Sequence, residues 1–412
     1  MKKHTGDKLY SEILPTEMNR LISRRRFLEY LIFGTSLVTW PLNINAEARR
    51  YLIVGAGIVG TSIAYALQEA GAKVTLIDKD FPAARASSKT FAWINASYPK
   101  QPFNYHLLSR LGVKTYQKWD AKLELNVNWK GSLEWFEDDF ENQNMFKKVK
   151  AIQGFGSEAQ IISRAEALGY EPNVLLNQKF ITRSPMDGVI NPVQAIKQMI
   201  QRIQGKGGTV IYPVEFLGLE KNKMGITAKT SHGLIKADKI IYACGTSSNK
   251  VARGNYLKPP TPGLIVTSKP FKQTINKILV GPGVHVYQNR DGVVILGDQG
   301  NPPSSHNQRL FLKPKYFPDL EISMEHGQRI VNIATHFIPQ FKDLAIKKVE
   351  IGWRPLPLDG KPVVGFLNDV EYIATMHSGI SLAPIVAELV RDELMFNVKS
   401  ELLNDFRPQR FL

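Results

Sequence analysis

Three glycines and one carboxylate carry the clearest chemistry in this chain: Gly55, Gly57 and Gly60, spaced GxGxxG, followed by Asp78. Gly55 permits a tight turn, Gly57 lets a backbone approach a pyrophosphate, and Gly60 lets a helix pack closely on a strand. Asp78 stands where an acid would accept hydrogen bonds from a ribose diol and disfavour a ribose phosphate. The elements that must position these groups are written around them. The apolar residues 51–54 read as a buried strand, and Ile63, Ala64, Ala66, Leu67 and Ala70 continue a packable helix. Residues 73–77 read as the next parallel strand, closed by Asp78 and Lys79. Ile58 and Val59 open the helix, whose first N–H groups and positive dipole end would meet the phosphates. A merely flexible glycine turn does not account for this order of elements. The unit by itself leaves NAD and FAD both open.

A chain of 412 residues can bury a substantial core and should form about two domains. With 43% hydrophobic and 22% charged residues it is globular in composition. The net charge is +16, and residues 1–48, with seven Lys/Arg against five Asp/Glu, account for little of it. A basic body favours anionic substrates, an acidic membrane surface or nucleic acid. No basic helix with base-reading side chains, zinc finger or RNA-binding signature supports a nucleic-acid partner. Cys244 is the only cysteine, which excludes intramolecular disulfides and multi-cysteine metal sites. Its setting, IIYACG, is that of a small buried residue rather than a reactive thiol. No pair of histidines has ligand spacing, so no metal is expected.

The N-terminus carries Ser23-Arg24-Arg25-Arg26-Phe27-Leu28, then a mostly apolar stretch over residues 30–42, then Asn45-Ala46-Glu47-Ala48. This resembles a twin-arginine signal peptide with an A-x-A-type cleavage site. The apolar stretch is shorter than the roughly twenty residues of a membrane span. A retained basic amphipathic anchor is the alternative. The expectation is that residues 1–48 address the protein to the twin-arginine export machinery and that it works in the periplasm or beyond the bacterial cytoplasmic membrane. That route carries folded proteins with their cofactors, which suits a tightly held FAD better than an exchanging NAD.

The second block, AARASSKTFAWINAS over residues 83–97, follows the acid-terminated strand. Its Ser87, Ser88, Lys89 and Thr90 supply hydroxyls and a cation near the pyrophosphate. Here the sequence resembles the D-amino-acid oxidase-like family of FAD-dependent oxidoreductases, which includes glycine oxidases and D-amino-acid dehydrogenases. Three more segments add to that resemblance. Asp187-Gly188-Val189-Ile190-Asn191-Pro192 introduces an amphipathic helix with Ala195, Ile196, Met199, Ile200 and Ile203 on one face, then a strand over residues 209–212. In the family, Val214 would then meet the adenine end through its backbone. Residues 239–245, KIIYACG, would bring Ala243 and Gly245 close to the pyrophosphate. Residues 351–365, IGWRPLPLDGKPVVG, and 376–394, MHSGISLAPIVAELVRDEL, are similar to the family's C-terminal signature. There Ser378, Gly379, Ile380 and Ser381 open a helix facing the flavin, packed by Ile385, Leu389 and Val390.

The resemblance implies an α/β fold with a Rossmann-like FAD-binding domain drawn from residues 49–98, 187–249 and 351–412. A discontinuous substrate domain over 99–186 and 250–350 would be built on a mixed or antiparallel sheet, with strands such as residues 293–296. FAD would be bound non-covalently, since no cysteine near the C-terminus matches the covalent attachment of the sarcosine-oxidase branch. The implied reaction is oxidation of the C–N bond of an amino acid or secondary amine by hydride transfer to the flavin, giving an imine that hydrolyses to an oxo acid. Arg354 is the candidate carboxylate clamp, with an ion pair to Asp359 as its alternative. His377 would line the site or support the turn. His285 and Tyr287 share a strand face that would look toward the reaction or simply pack. Oxygen or a quinone would reoxidise the flavin, and the charge and signal together favour a membrane-associated acceptor. A nicotinamide-dependent reductase and a non-catalytic exported flavoprotein are the competing functions.

Overall fold

The computed structural model describes residues 49–97, 100–222, 225–298 and 320–411. The export signal read over residues 1–48 lies outside the described residues. Ala48–Leu412 forms one compact unit.

Continuous apolar runs make the first sheet. β1 (Arg50–Val54), β2 (Lys73–Ile77), β8 (Thr209–Ile211), β12 (Lys239–Tyr242) and β19 (Glu371–Thr375) run parallel, and β18 (Val363–Phe366) closes one edge antiparallel. The order is β18-β19-β12-β1-β2-β8. Alternate residues serve two cores, as a sheet covered on both faces requires. Tyr51, Ile53, Leu76, Ile241 and Tyr372 meet the helices α1 (Ile58–Glu69), α5 (Pro192–Gly205) and α8 (Gly379–Phe396). Leu52, Val54, Ile77, Ile240 and Ile373 meet a small antiparallel sheet of β9 (Phe216–Asn222), β10 (Gly225–Thr230) and β11 (Gly233–Ala237). Each fully buried Leu or Ile on these faces contributes about 1.5–3 kcal/mol relative to exposure.

The second sheet has eight strands in the order β17-β13-β16-β15-β14-β4-β6-β5. They are β4 (Ser132–Glu134), β5 (Gln160–Ser163), β6 (Phe180–Ser184), β13 (Thr261–Pro270), β14 (Ile278–Gly281), β15 (Val284–Gln288), β16 (Val293–Asp298) and β17 (Ile346–Arg354). All pairs are antiparallel except β14 with β4, so the sheet is mixed. One face buries Val284, Val286, Leu296 and Ile351 against α7 (Leu320–Thr335). The other carries His285, Tyr287, Gly352 and Arg354, and it is the face that matters for function. The short strands β3 (Trp93–Ile94) and β7 (Gly188–Val189) pair antiparallel as a separate two-stranded sheet.

One element departs from the expected partition. α2 (Phe103–Leu123) lies in the stretch read as substrate domain, yet buries Tyr105, Leu108, Tyr116 and Trp119 in the core shared with α8 and the first sheet. Trp119 Nε1 donates to Glu388 Oε1 at 3.0 Å, and a Cβ on Gly112 would stand 2.2 Å from Ser381 O. The chain therefore passes to the second sheet after α2, by way of β4, α3 (Asp139–Gln153) and α4 (Arg164–Tyr170). Among the described residues no helix is long and apolar enough to cross a membrane.

Candidate active site at the meeting of the two sheets

The nucleotide end is made of backbone. Gly55 turns at φ +111°, donates its N–H to Ile77 O at 2.8 Å, and lies so close to Ala243 that a Cβ would be 2.4 Å from its carbonyl oxygen. A Cβ on Gly60 would be 1.9 Å from Gly55 O. α1 then begins with Gly57 as its cap, no side-chain cap and no acid in its first turn. Its Ile58 N–H takes the Ser87 hydroxyl oxygen at 3.0 Å, so an oxygen ligand already stands where a phosphate oxygen would. Asp78 accepts from Ala56 N–H at 2.7 Å and Asp80 N–H at 2.9 Å, one bond per oxygen, which leaves each oxygen a lone pair for a ribose hydroxyl. Val214 N–H donates to Asp78 O at 2.6 Å, bringing that segment beside the acid.

Around this turn the remaining candidates take varied positions. Lys79 is exposed. Ser88 Oγ donates to Arg85 O at 3.2 Å and Thr90 Oγ1 accepts from Ala92 N–H at 3.2 Å, bonds that shape their own loop. Lys89 meets the second sheet through its backbone, since a Cβ on Gly352 would be 2.0 Å from Lys89 O. Gly245, at φ +53°, follows Ala243 and Cys244 past β1. The Cys244 thiol donates to Val54 O at 3.2 Å, and burial pushes it up to about 12, which keeps it unreactive.

A second helix start adjoins the first. α8 begins at Gly379 with no side-chain cap from Ser378 and no acid in its first turn, and a Cβ on Gly379 would be 3.2 Å from Val59 Cγ2. Ile380 and Val59 pack at the edge of the same core. Ser378 Oγ shares a 3.0 Å hydrogen bond with Tyr105 OH. Ser381 is used differently from the expectation: it is 3% exposed, accepts Asn95 N–H at 3.1 Å and donates to Trp93 O at 3.2 Å. Its hydroxyl ties α8 to β3 and so holds the wall of the site, while its main-chain N–H stays part of the open helix start. Two bare helix N-termini, a Cβ-free turn with an oxygen already on it, and an acid with open lone pairs together fit the pyrophosphate and ribose of FAD.

The ring end is made of side chains from the second sheet. Gly263 and Gly297 put no side chain on this face, which lets Arg354 and Phe91 lie close over it; a Cβ at 263 would be 2.6 Å from Arg354 Nη2 and one at 297 would be 3.3 Å from Phe91 Cδ2. The guanidinium therefore lies flat over β13. Among the described residues Arg354 has no ion pair; Asp359 is taken by Arg410 at 2.9 Å, which removes the alternative of an Arg354–Asp359 bridge. Asp298 is bonded to Arg329 at 2.7 Å. His285 and Tyr287 do share the face, and Phe91 packs on both rings with centroids at 5.4 and 5.0 Å. Trp93 meets His285 at 5.6 Å. Burial first, then Arg354, lowers His285 to about 4. His377 keeps surface exposure, yet loss of water around its ring, with Arg354 and Lys100 nearby, lowers it to about 4 as well. Burial raises the Tyr287 phenol. Both imidazoles are therefore neutral at pH 7 in a site whose permanent charge is positive.

Two residues of this region escaped the sequence reading. Lys100 donates to Ser109 Oγ at 3.0 Å, sits 5.0 Å over the Tyr105 ring, and is lowered to about 8 by burial despite Asp187. Asp187, 2% exposed, accepts from Ser132 Oγ at 2.7 Å, Ser97 Oγ at 3.0 Å and Trp93 Nε1 at 3.0 Å. Burial outweighs these bonds and pushes its carboxyl up to about 7. Asp187 opens the DGVINP block, which the sequence marks only as leading into a helix; Lys100 sits in no pattern at all. Among the described residues no group of His, Cys, Asp and Glu could hold a metal.

Residues 50–393 match the profile of the family described as DAO, FAD dependent oxidoreductase. The bifunctional protein ThiO/ThiG of Trichormus variabilis is 26% identical over 386 residues, covering 88% of this chain and 55% of that protein. This chain thus spans about half the length of the first curated relatives it matches. The glycine oxidase of Bacillus licheniformis is 22% identical, with 88% of this chain and 98% of that one covered. The crystal structure of glycine oxidase from Geobacillus kaustophilus has the same fold, with a TM-score of 0.77 at 18% identity over 89% of this chain and all of that one. The chain belongs to the DAO family of FAD dependent oxidoreductases, and FAD is its cofactor.

Proposed function

We propose that this enzyme oxidises the C–N bond of an amino acid or a secondary amine that carries a carboxylate. The observation that carries the reading is Arg354, a guanidinium laid over a bare sheet face with no acidic partner among the described residues. Its planar fork matches a carboxylate bidentately. His285 and His377, neutral at pH 7, present no imidazolium to repel an amine. Phe91, Trp93 and Tyr287 wall the pocket and exclude water from the reacting carbon. FAD, when bound, accepts the hydride that leaves Cα. The substrate thereby loses two electrons, a hydride from carbon and a proton from nitrogen, and the imine takes up water to give an oxo acid and an amine or ammonia. Positioning supplies most of the rate, because the nitrogen lone pair assists departure of the hydride. The names of the relatives, glycine oxidase among them, support an amino-acid substrate.

Anaerobic bleaching of the bound flavin by a panel of amino acids, secondary amines and hydroxy acids tests this. Amino acids and carboxylated amines should bleach it. Bleaching by hydroxy acids alone, or by nothing, overturns the reading. Export is part of the same proposal and rests on the SRRRFL sequence and the basic body. Replacing Arg24 and Arg25 with Lys should leave folded yellow protein in the cytoplasm; normal export of that variant would remove the signal from the account. A membrane-associated acceptor is proposed on the same grounds, and rapid peroxide formation with no response to quinone analogues would replace it with oxygen.

A further inference from the structure

Residues 89–93 cross the functional face of the second sheet, and their alternate positions meet its strands in turn. The Lys89 carbonyl lies over Gly352 of β17, where a Cβ would be 2.0 Å from its oxygen. Phe91 lies over Gly297 of β16, where a Cβ would be 3.3 Å from its ring. Trp93 meets His285 of β15 edge to face, with centroids 5.6 Å apart. The indole then continues away from Arg354: it packs with the cluster that includes Ile278 and Val280 of β14, and its Nε1 donates to Asp187 Oδ2 at 3.0 Å. That oxygen also accepts from Ser132 Oγ of β4 at 2.7 Å and from Ser97 Oγ at 3.0 Å. The main chain of Trp93 is held as well, by Ser381 Oγ, which donates to its carbonyl at 3.2 Å, and by β7 through Val189. An indole fixed at both ends does not turn aside for a larger ligand.

The sheet also sets the span from Arg354 to this wall. β13, β16 and β15 are successive neighbours; Ile265, Gly297 and His285 stand in one row, and Gly263, under the guanidinium, is two residues along β13 from Ile265. With strands about 4.8 Å apart and about 3.4 Å per residue, Gly263 and His285 are roughly 12 Å apart along the diagonal. A carboxylate hydrogen-bonded to Arg354 uses about 3 Å of that, and van der Waals contact with the far rings about 4 Å more. The roughly 5 Å left hold the carboxyl group, the reacting carbon and one or two further atoms.

We propose that Trp93 sets the upper size of the substrate side chain and that Asp187 acts through it as a positioning residue. This rests on the amine-oxidation reading, with the substrate carboxylate on Arg354, and adds a limit to it. Side chains the size of alanine's pass, and branched or aromatic ones meet the indole.

The test uses the holoenzyme and two inert carboxylates, propanoate and 4-methylpentanoate, which are alanine and leucine without the amine. Their binding is read from the shift of the flavin absorbance. Propanoate should bind at least about tenfold more tightly, against the ordinary advantage of the more apolar ligand. Trp93→Ala should reverse that order. Trp93→Phe keeps a ring but has no N–H for Asp187, and should bring the two to within about threefold. Asp187→Asn, whose amide oxygen still accepts the indole N–H, should keep the parent's preference, while Asp187→Leu should lose it as Trp93→Phe does; if Asp187→Leu does not fold, Trp93→Phe reads the same bond alone. No preference in the parent would overturn the proposal. So would a Trp93→Ala protein that keeps the parent's preference, weakens both probes alike or releases FAD, since Trp93 would then serve the fold or the flavin. The parent's preference persisting in Trp93→Phe would overturn the part given to Asp187. Racemic alanine and leucine are the oxidisable pair. If both bleach the flavin with equal kcat/KM, the size limit falls and amine oxidation stands. If neither bleaches it while the inert pair keeps its Trp93-dependent preference, the size limit stands and amine oxidation falls.

Discussion

The two ends of the site solve opposite problems with different materials. At the nucleotide end the groups that would meet FAD are main-chain N–H groups of the α1 turn, and the side chains nearby are kept small or absent: Gly55, Gly57 and Gly60. At the ring end the sheet backbone is consumed in pairing, so function falls to side chains such as Arg354, which lies over Gly263, and Tyr287. A backbone site is rigid because it is the fold; a side-chain site can be altered without moving a strand. The teaching is about failure. A methyl group should destroy the first end, and a change of function should be confined to the second.

The most damaging test of that contrast is Gly60→Ala. Its Cβ would stand 1.9 Å from Gly55 O, a main-chain atom of a residue whose N–H is held by Ile77 O. Nothing flexible can move aside, so the expected cost exceeds the roughly 1–3 kcal/mol of ordinary overpacking. The variant should purify without FAD or not fold, as read by flavin absorbance and thermal melting. A yellow, stable Gly60→Ala protein would mean that the turn is plastic.

Arg354→Ala is the matching test at the other end. It should keep fold and FAD while losing about 2–4 kcal/mol in kcat/KM toward a carboxylate substrate. Arg354→Lys, which keeps charge and loses the fork, should lose less and mainly in KM. Joint loss of FAD and stability would make Arg354 structural and erase the distinction between the ends.

The same contrast explains which parts of the site are legible in the sequence. The nucleotide end lies within residues 50–78, where strand period, glycine spacing and terminal acid obey local rules, and β2 begins and ends where they place it. The paired placement of His285 and Tyr287 followed from alternation alone. Residues 103–123 fall within the stretch the resemblance gives to the substrate domain, because which layer covers α2 depends on α8, far along the chain. Lys100 was invisible for a related reason. One lysine near two prolines carries no pattern, and only the fold brings it to Tyr105 and Ser109. Ser381 looked like a cofactor contact because it follows the helix-opening glycine, and its bonds to Asn95 and Trp93 are long-range facts.

A smaller effect is expected at Asp78, since its carboxylate supports the turn as well as a ribose. Asp78→Ala loses the bonds to Ala56 and Asp80 and the proposed contact to the ribose diol, and FAD retention should weaken by about 1–3 kcal/mol. Equilibrium dialysis measures it. Unchanged retention would move the specificity for FAD to the α8 side of the site.

The smallest expected change separates the ends by pH. At the ring end two kinds of group are shifted in opposite senses. His285 and His377 are lowered to about 4, so between about 4 and 6.5 the folded protein binds fewer protons than the unfolded chain, and they make stability rise with pH in that window. Asp187 is raised to about 7 from 3.8, so between those values the folded protein binds more protons than the unfolded chain, and it makes stability fall as pH rises. Asp187→Asn removes the second contribution while its amide oxygen can still accept from part of the Ser132, Ser97 and Trp93 set. Relative to the parent, the variant should therefore gain stability as pH goes from 4 to 7. A gain of about 1 kcal/mol is expected, well below the formal value of the shift, because the charged site relaxes and admits water. Tm measured in parallel for both proteins at pH 4, 5.5 and 7 reads it out. A difference that stays constant, or grows toward acid, would mean that Asp187 is ionised throughout and that the ring end carries a permanent negative charge.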